Sequence, residues 1–154
     1  MTNDERFASL HLTLPPAPKP VAKYVPAVKA GGMLYVSGHG PLKPDKTLMT
    51  GKVGKDLDTE QGKVAARQVG LAVLATLKDQ LGSLNKIKRL VKTLGLVNCT
   101  DDFKEQPLVM NGFSELMAEV FGDDNGVGSR SALGTNSLPG NISVEIECMF
   151  ELAE

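Results

Sequence analysis

There is no tryptophan among the 154 residues of this chain, and aromatic side chains make up only 5% of it. Without large rings, a core must be assembled from Val, Leu, Ile, Met and Ala. Cysteine is scarce as well. Cys99 and Cys148 are the only two, they form no metal-spaced pair, and they cannot build a disulfide framework. Reduced thiols and a cytosolic (cytoplasmic) setting are the expectation. Histidine is limited to His11 and His39, and nothing pairs them with Cys or Asp at ligand spacing, so no metal site is expected. An excess of either charge is also missing. The 17 Lys and Arg face 18 Asp and Glu, for a net charge of −1 without a basic cluster. Electrostatics therefore suggest neither a nucleic-acid partner nor an anionic membrane. No stretch approaches the ~20 apolar residues of a membrane helix. MTNDERFASLHL has no basic start followed by an apolar run, so a secretory signal is not expected. The sequence lacks GxGxxG after a strand, GxxxxGK[ST] and HExxH, which removes the usual dinucleotide, P-loop and zinc-protease readings. VSGHG (36–40) is no nucleophile elbow, because Ser37 lacks the preceding Gly.

The remaining composition is ordinary, with 42% apolar and 23% charged residues, and the length suits one domain. A short helical piece is expected around Phe7 and Leu10, followed by PPAPKP (15–20), an extended lead-in. Residues 1–20 thus read as an N-terminal extension and 21–154 as a single domain. YVPAVKAGGMLYVSG (24–38) predicts two strands around a Gly31-Gly32 turn, with Pro26 placing the first at an edge or a bulge. Residues 40–54 read as a loop or short hairpin arm. The spacing predicts a helix over 58–82, capped by Asp58 or Thr59 and stopped by Gly82, with Val64, Leu71, Leu74 and Leu81 at helical intervals. KRLVKTLGLVNC (88–99) is apolar on both faces and reads as a central strand. A second helix is expected over 101–122, burying Leu108, Met110, Phe113, Leu116, Met117 and Val120. Residues 123–129 read as a loop, and two strands joined by the turn SLPGN (137–141) end the chain. Two helices and five or six strands make a two-layer α+β sandwich, with one sheet face left for water or a partner.

The final strands carry charges that strand interiors usually exclude. Val144, Ile146, Cys148 and Phe150 should face the helices, with Glu145, Glu147, Met149 and Glu151 on the other side. Arg130 reads either as a surface arginine capping its strand or as an anion receptor whose planar fork matches a carboxylate. Glu145 and Glu147 are either solvated or placed to orient and deprotonate water. Ser37 and His39, two apart at a strand end, should point the same way, most simply within a hydrogen-bonded turn.

Tyr24, AVKAGGMLYVSGHGPL (27–42), VMNGF (109–113) and SRSALGTNSLPGNISVEIE (129–147) together resemble the RidA (reactive intermediate deaminase, YjgF-like, L-PSP) family, in the right order across nearly the whole chain after residue 20. The resemblance implies a chorismate-mutase-like fold: a mostly antiparallel six-stranded sheet with two helices on one side. It also implies a homotrimer whose open sheet faces pack together, leaving three clefts between subunits. In such a cleft an enamine/imine deaminase hydrolyses small 2-imino acids to 2-oxo acids and ammonia, with no cofactor and no metal. The family's carboxylate-gripping arginine falls on Arg130 and its water-orienting glutamate on Glu145. Its cleft-lining tyrosine, serine and asparagine fall on Tyr24, Ser37 and Asn111. The backbone near Ala132 would hold the imine nitrogen.

The chain departs from the family pattern in four places. Ala132 stands where Cys or Val is common, and His39 replaces a glutamine and becomes a cleft residue of its own. The 123–129 loop is longer than usual, and PPAPKP precedes the domain. These differences bear on pocket size and substrate. A non-catalytic trimer binding a small carboxylate or a protein is the alternative. An endoribonuclease is a third reading, with less support, since there is no His pair and no basic patch.

Overall fold

The computed structural model describes all of residues 1–154. Helix α1 (Asn3–Ser9) opens with a reciprocal cap: the Glu5 amide donates to Thr2 Oγ1 at 3.1 Å and the Thr2 amide to Glu5 Oε2 at 2.7 Å. Asn3 donates to the Leu84 and Ile87 carbonyls at 3.0 Å, and Phe7 lies under the Lys78 ammonium at 4.6 Å. The first turn of the chain is thereby tied to the helix layer.

Strands β1 (Ala27–Ala30) and β2 (Met33–His39) form the expected hairpin. Gly31 (φ 58°) and Gly32 (φ 77°) both take the left-handed conformation that a tight two-residue turn requires. β1 is an edge strand, in keeping with Pro26. Helix α2 (Thr59–Leu81) is capped by Asp58 and Gln61, and ends at Gly82 with φ 80°. Strand β3 (Ile87–Asn98), helix α3 (Gln106–Phe121), a short helix α4 (Asp123–Gly126), strand β4 (Ser129–Thr135) and strand β5 (Val144–Leu152) complete the order. The 40–54 segment is an arm held by isolated bridges, Leu42 to Leu48 and Thr50 to Ile142.

The sheet has five strands rather than six, in the order β1-β2-β5-β3-β4, and it is mixed. β4 runs parallel to β3, while β5 is antiparallel to both β3 and β2. The last two strands are therefore not a hairpin. Residues 136–143 pass over the end of β3, and β5 inserts between β2 and β3. The Pro-Gly sequence makes a single 3-10 turn at Pro139–Asn141 inside that crossover. α3 supplies the long connection that a parallel β3–β4 pair needs.

There are four helices rather than two: α2 and α3 cover one face of the sheet, α4 adjoins β3, and α1 packs against α3. Val144, Ile146, Cys148 and Phe150 are buried beneath the helices, and Phe150 meets Phe121 at 5.8 Å between ring centres. Two expected core residues are outside: Val64 is 59% exposed and Leu108 48%. In their place α2 buries Ala65, Ala66, Val69, Ala72 and Val73, and α3 buries Val109. The reason is close helix contact. A Cβ on Gly112 would stand 2.0 Å from the Lys63 carbonyl oxygen of α2, so the two helices approach at a distance that only small residues permit. Gly112→Ala should lower stability by about 2–3 kcal/mol, read as a fall in the denaturant midpoint at unchanged slope.

The opposite sheet face is uncovered. Val28, Tyr35 and Leu133 are about half exposed there, beside Leu94, Leu96 and Met149. Glu151 on this face is held by Lys88 at 3.1 Å and Arg89 at 2.7 Å.

Candidate functional site

β2 breaks its pairing with β5 between Val36 and His39. Such a bulge adds a residue and reverses the side-chain alternation beyond it. Leu34 and Val36 face the helices, and so does His39, which pairs with Ile146. Ser37 and His39 therefore point to different sides, contrary to the simple strand reading. The Ser37 hydroxyl donates to the Val25 carbonyl at 2.6 Å. The His39 ring is buried, with Nδ1 2.6 Å from the Ser37 carbonyl and Nε2 2.7 Å from Thr76 Oγ1. A carbonyl only accepts, so neutral His39 carries its proton on Nδ1 and accepts a hydrogen bond from the Thr76 hydroxyl at Nε2. His39 is among the residues that line the adjoining cleft, with its imidazole largely buried and both ring nitrogens engaged.

Burial holds the His39 pKa below its usual 6.5, against the opposing effect of the Ser37 carbonyl. The unfolded chain takes a proton near 6.5 while the folded protein resists it. Stability should then fall as pH drops below 6.5, levelling off beneath the folded pKa. Thermal unfolding of His39→Gln between pH 7.5 and 5 should show a smaller loss than wild type.

The bulge exposes Gly38, and the Glu145 carboxylate lies directly upon it. A Cβ at Gly38 would be 3.0 Å from Glu145 Oε2. Burial first, and then the neighbouring Glu147 charge, hold the Glu145 carboxyl above the usual range. No hydrogen bond or ion pair within the chain engages either carboxylate. Both line a cleft of about 720 Å³ together with Tyr24, Ser37 and Gly38. Its outer walls come from residues 18–21, from Leu42 and Leu48 on the arm, and from Pro139 and Ile142 in the crossover.

Arg130 is elsewhere. It lies on edge strand β4 at the register of Thr93 and Cys148, on the helix face. Its Nη1 donates to Asn111 Oδ1 at 2.9 Å and to Ser114 Oγ at 3.2 Å, both on α3. No ion pair occupies the guanidinium, and the remaining donors of its fork are unused within the chain. Ala132, half-buried, follows two residues later on the same strand. Ser114 was not anticipated; the signal was its place one helical turn after Asn111.

One chain therefore brings Tyr24, Ser37, His39 and Glu145 to one cleft, and separately Arg130, Asn111 and Ala132. Glu145 pairs with Leu96 on the open face, whereas Arg130 pairs with Thr93 on the helix face. The two Cα atoms are two strands and three residues apart, about 14 Å, and their side chains diverge. No group of three or more His, Cys, Asp or Glu side chains is placed to hold a metal ion, and no helix is long and apolar enough to cross a membrane.

Residues 4–152 match the family model described as "YjgF/chorismate_mutase-like, putative endoribonuclease". Protein TCP17 of Trypanosoma cruzi is 38% identical over 143 residues, 93% of this chain and 89% of that protein. A RutC family protein of Pyrococcus horikoshii is 31% identical over 133 residues, covering 86% of this chain and 90% of the relative. Among solved structures, a protein of unknown function from Agrobacterium tumefaciens superposes with a TM-score of 0.88 at 41% identity, covering 98% of this chain and 92% of that one. A Shewanella oneidensis protein described as a "putative endoribonuclease" reaches 0.92 at 29% identity, over 99% and 100% of the two chains. RidA from an Antarctic Psychrobacter gives 0.59 at 25% identity, over 88% of this chain and 93% of its own. A match that spans almost the whole chain, together with the shared fold, shows that the chain belongs to the YjgF/chorismate-mutase-like family, the family of RidA.

Proposed function

We propose that the protein is an enamine/imine deaminase that hydrolyses 2-imino acids in clefts shared between the subunits of a homotrimer. The observation that carries this reading is the division of the site. One edge of the sheet holds a carboxylate-binding fork with unused donors, and the bulge at the other side holds a half-buried carboxylate with no partner. Each is half of a hydrolytic site. A ring of copies packed head to tail would set the Arg130 edge of one subunit against the Glu145 cleft of the next. The uncovered apolar residues of the sheet face give such a ring a surface to bury.

In the shared cleft, the Arg130 guanidinium grips the substrate carboxylate bidentately, and Asn111 and Ser114 hold the guanidinium. Water attacks the imine carbon. The new C–O bond forms as the C=N π pair moves onto nitrogen, and Glu145 takes a proton from the water. The carbinolamine then collapses to a 2-oxo acid. Glu145 returns its proton to the amino nitrogen, the C–N bond breaks as an oxygen lone pair forms the C=O bond, and the hydroxyl proton leaves with the departing ammonia as ammonium. A carboxyl held above the usual range is better suited to this two-way transfer than an ordinary one. An iminium carbon is already electrophilic, so the protein supplies mainly position and electrostatic fit.

The cleft is a poor match for a polyanion, since Glu145 and Glu147 face into it and the chain's net charge is −1. This favours imine hydrolysis over ribonuclease activity. To test the reading, 2-aminoacrylate is generated in situ by a pyridoxal-phosphate dehydratase and oxo-acid release is followed. Acceleration over the buffer rate supports the deaminase. A folded trimer without acceleration on this small imine and on larger 2-imino acids alike favours a non-catalytic carboxylate-binding protein.

A further inference from the structure

The outer rim of the Glu145 cleft takes no part in the chemistry above, yet it is apolar. Val21 is 95% exposed and Leu48 is 44% exposed, and both are cleft walls with Leu42 and Ile142. Val21 is the most exposed of the large hydrophobic side chains. It is carried on a strap stiffened by Pro18 and Pro20. Leu48 is fixed opposite by its bridge to Leu42 on the arm. Exposed apolar side chains brought to one concavity by two separate segments offer an apolar group a surface to bury. The cleft volume, about 720 Å³, falls within the range of pockets that enclose ligands much larger than a three-carbon acid.

We infer that this rim selects the substrate side chain, so that the cleft prefers 2-imino acids with a branched or long apolar side chain. The inference rests on the imine-hydrolysis reading and specifies its substrate. With the reacting carbon at Glu145, the side chain extends past Gly38 toward Ile142 and the rim. An acidic side chain would meet the charges of Glu145 and Glu147. Lys19, the one cation on the wall, is exposed on the strap and keeps its ammonium in water.

The test uses an amino-acid oxidase with catalase to generate imines from alanine, leucine and glutamate, each followed as it converts to the oxo acid. The leucine-derived imine should show kcat/KM at least about 10-fold above the alanine-derived one, the scale on which apolar pockets discriminate. Val21→Asp and Leu48→Asp, both at exposed positions the fold tolerates, should each narrow that ratio several-fold. If the alanine-derived imine is hydrolysed as well as the leucine-derived one, rim selection is overturned while the deaminase reading stands. Preference for the glutamate-derived imine would also overturn it and assign selection to Lys19. Variants that change the oligomeric state by sedimentation but leave the ratio alone would show the rim to be a subunit contact. Hydrolysis of none of the three overturns the deaminase reading and this inference with it.

Discussion

Arg130→Lys is expected to lower kcat/KM for a 2-imino acid by about 100-fold or more, equivalent to about 2.7 kcal/mol of transition-state stabilisation. The charge survives this change, so long-range attraction for a carboxylate is kept. The fork is lost. Nη1 of Arg130 is already committed to Asn111 and Ser114 at 2.9 and 3.2 Å, which leaves the rest of the guanidinium for the ligand. Lysine has one nitrogen and cannot serve both sides with that geometry. Binding of a 2-oxo acid product, measured by calorimetry, should weaken in parallel. Unchanged affinity in a folded variant would remove Arg130 from the site. Folding itself should change little, since Asn111 and Ser114 are only half-buried and can turn to water.

Glu145→Gln should have an effect of similar size through a different parameter. The amide keeps the shape of the side chain against Gly38 but accepts no proton from water. A fall in kcat of about 100-fold or more is expected, starting from the lower end of the usual range for losing a positioned base, with KM much less affected. The pH profile gives a second readout. Burial and Glu147 raise the Glu145 pKa above 4.5, so the acid limb of the wild-type profile should lie above that value and be absent from the variant. Stability moves oppositely. A carboxyl with a raised folded-state pKa is favoured when protonated, and that benefit is lost as pH rises through the folded value. The charged form at neutral pH is a cost to folding. Glu145→Gln should therefore unfold at a higher temperature than wild type at pH 7, with the difference shrinking as pH falls to 4. A variant that loses activity and stability together would point to a structural role for Glu145.

Local chemistry made much of the fold legible in advance. The helix start at Asp58–Thr59, the Gly31-Gly32 turn and the alternation from Val144 to Phe150 are settled within a few residues, and all were readable from the chain alone. Features that depend on distant packing were not. The turn residues at 137–141 are present, but no local signal says that β3 stands between β4 and β5. Val64 and Leu108 have helical spacing and still lie outside, because Gly112 brings α3 so near α2 that alanines make the contact. Alternation failed at one point on β2, where the bulge turns His39 toward Thr76.

The site was legible mainly through family resemblance. Spacing alone left Arg130 as either a surface cap or an anion receptor, and its place on α3's side of the sheet emerges only from the parallel pairing with β3. The strap wall could not be foreseen from PPAPKP, which reads as a lead-in whatever it touches.

The shared site is tested most directly by mixing two defective proteins. Arg130→Ala and Glu145→Gln should each be nearly inactive alone. When they are unfolded together, refolded and confirmed as mixed trimers by native mass spectrometry, about a quarter of the clefts in a random assembly pair an intact Arg130 from one subunit with an intact Glu145 from the next. Recovery of imine hydrolysis to about that fraction of wild type is the predicted result. Mixed trimers as inactive as their parents would contradict a site built from two subunits.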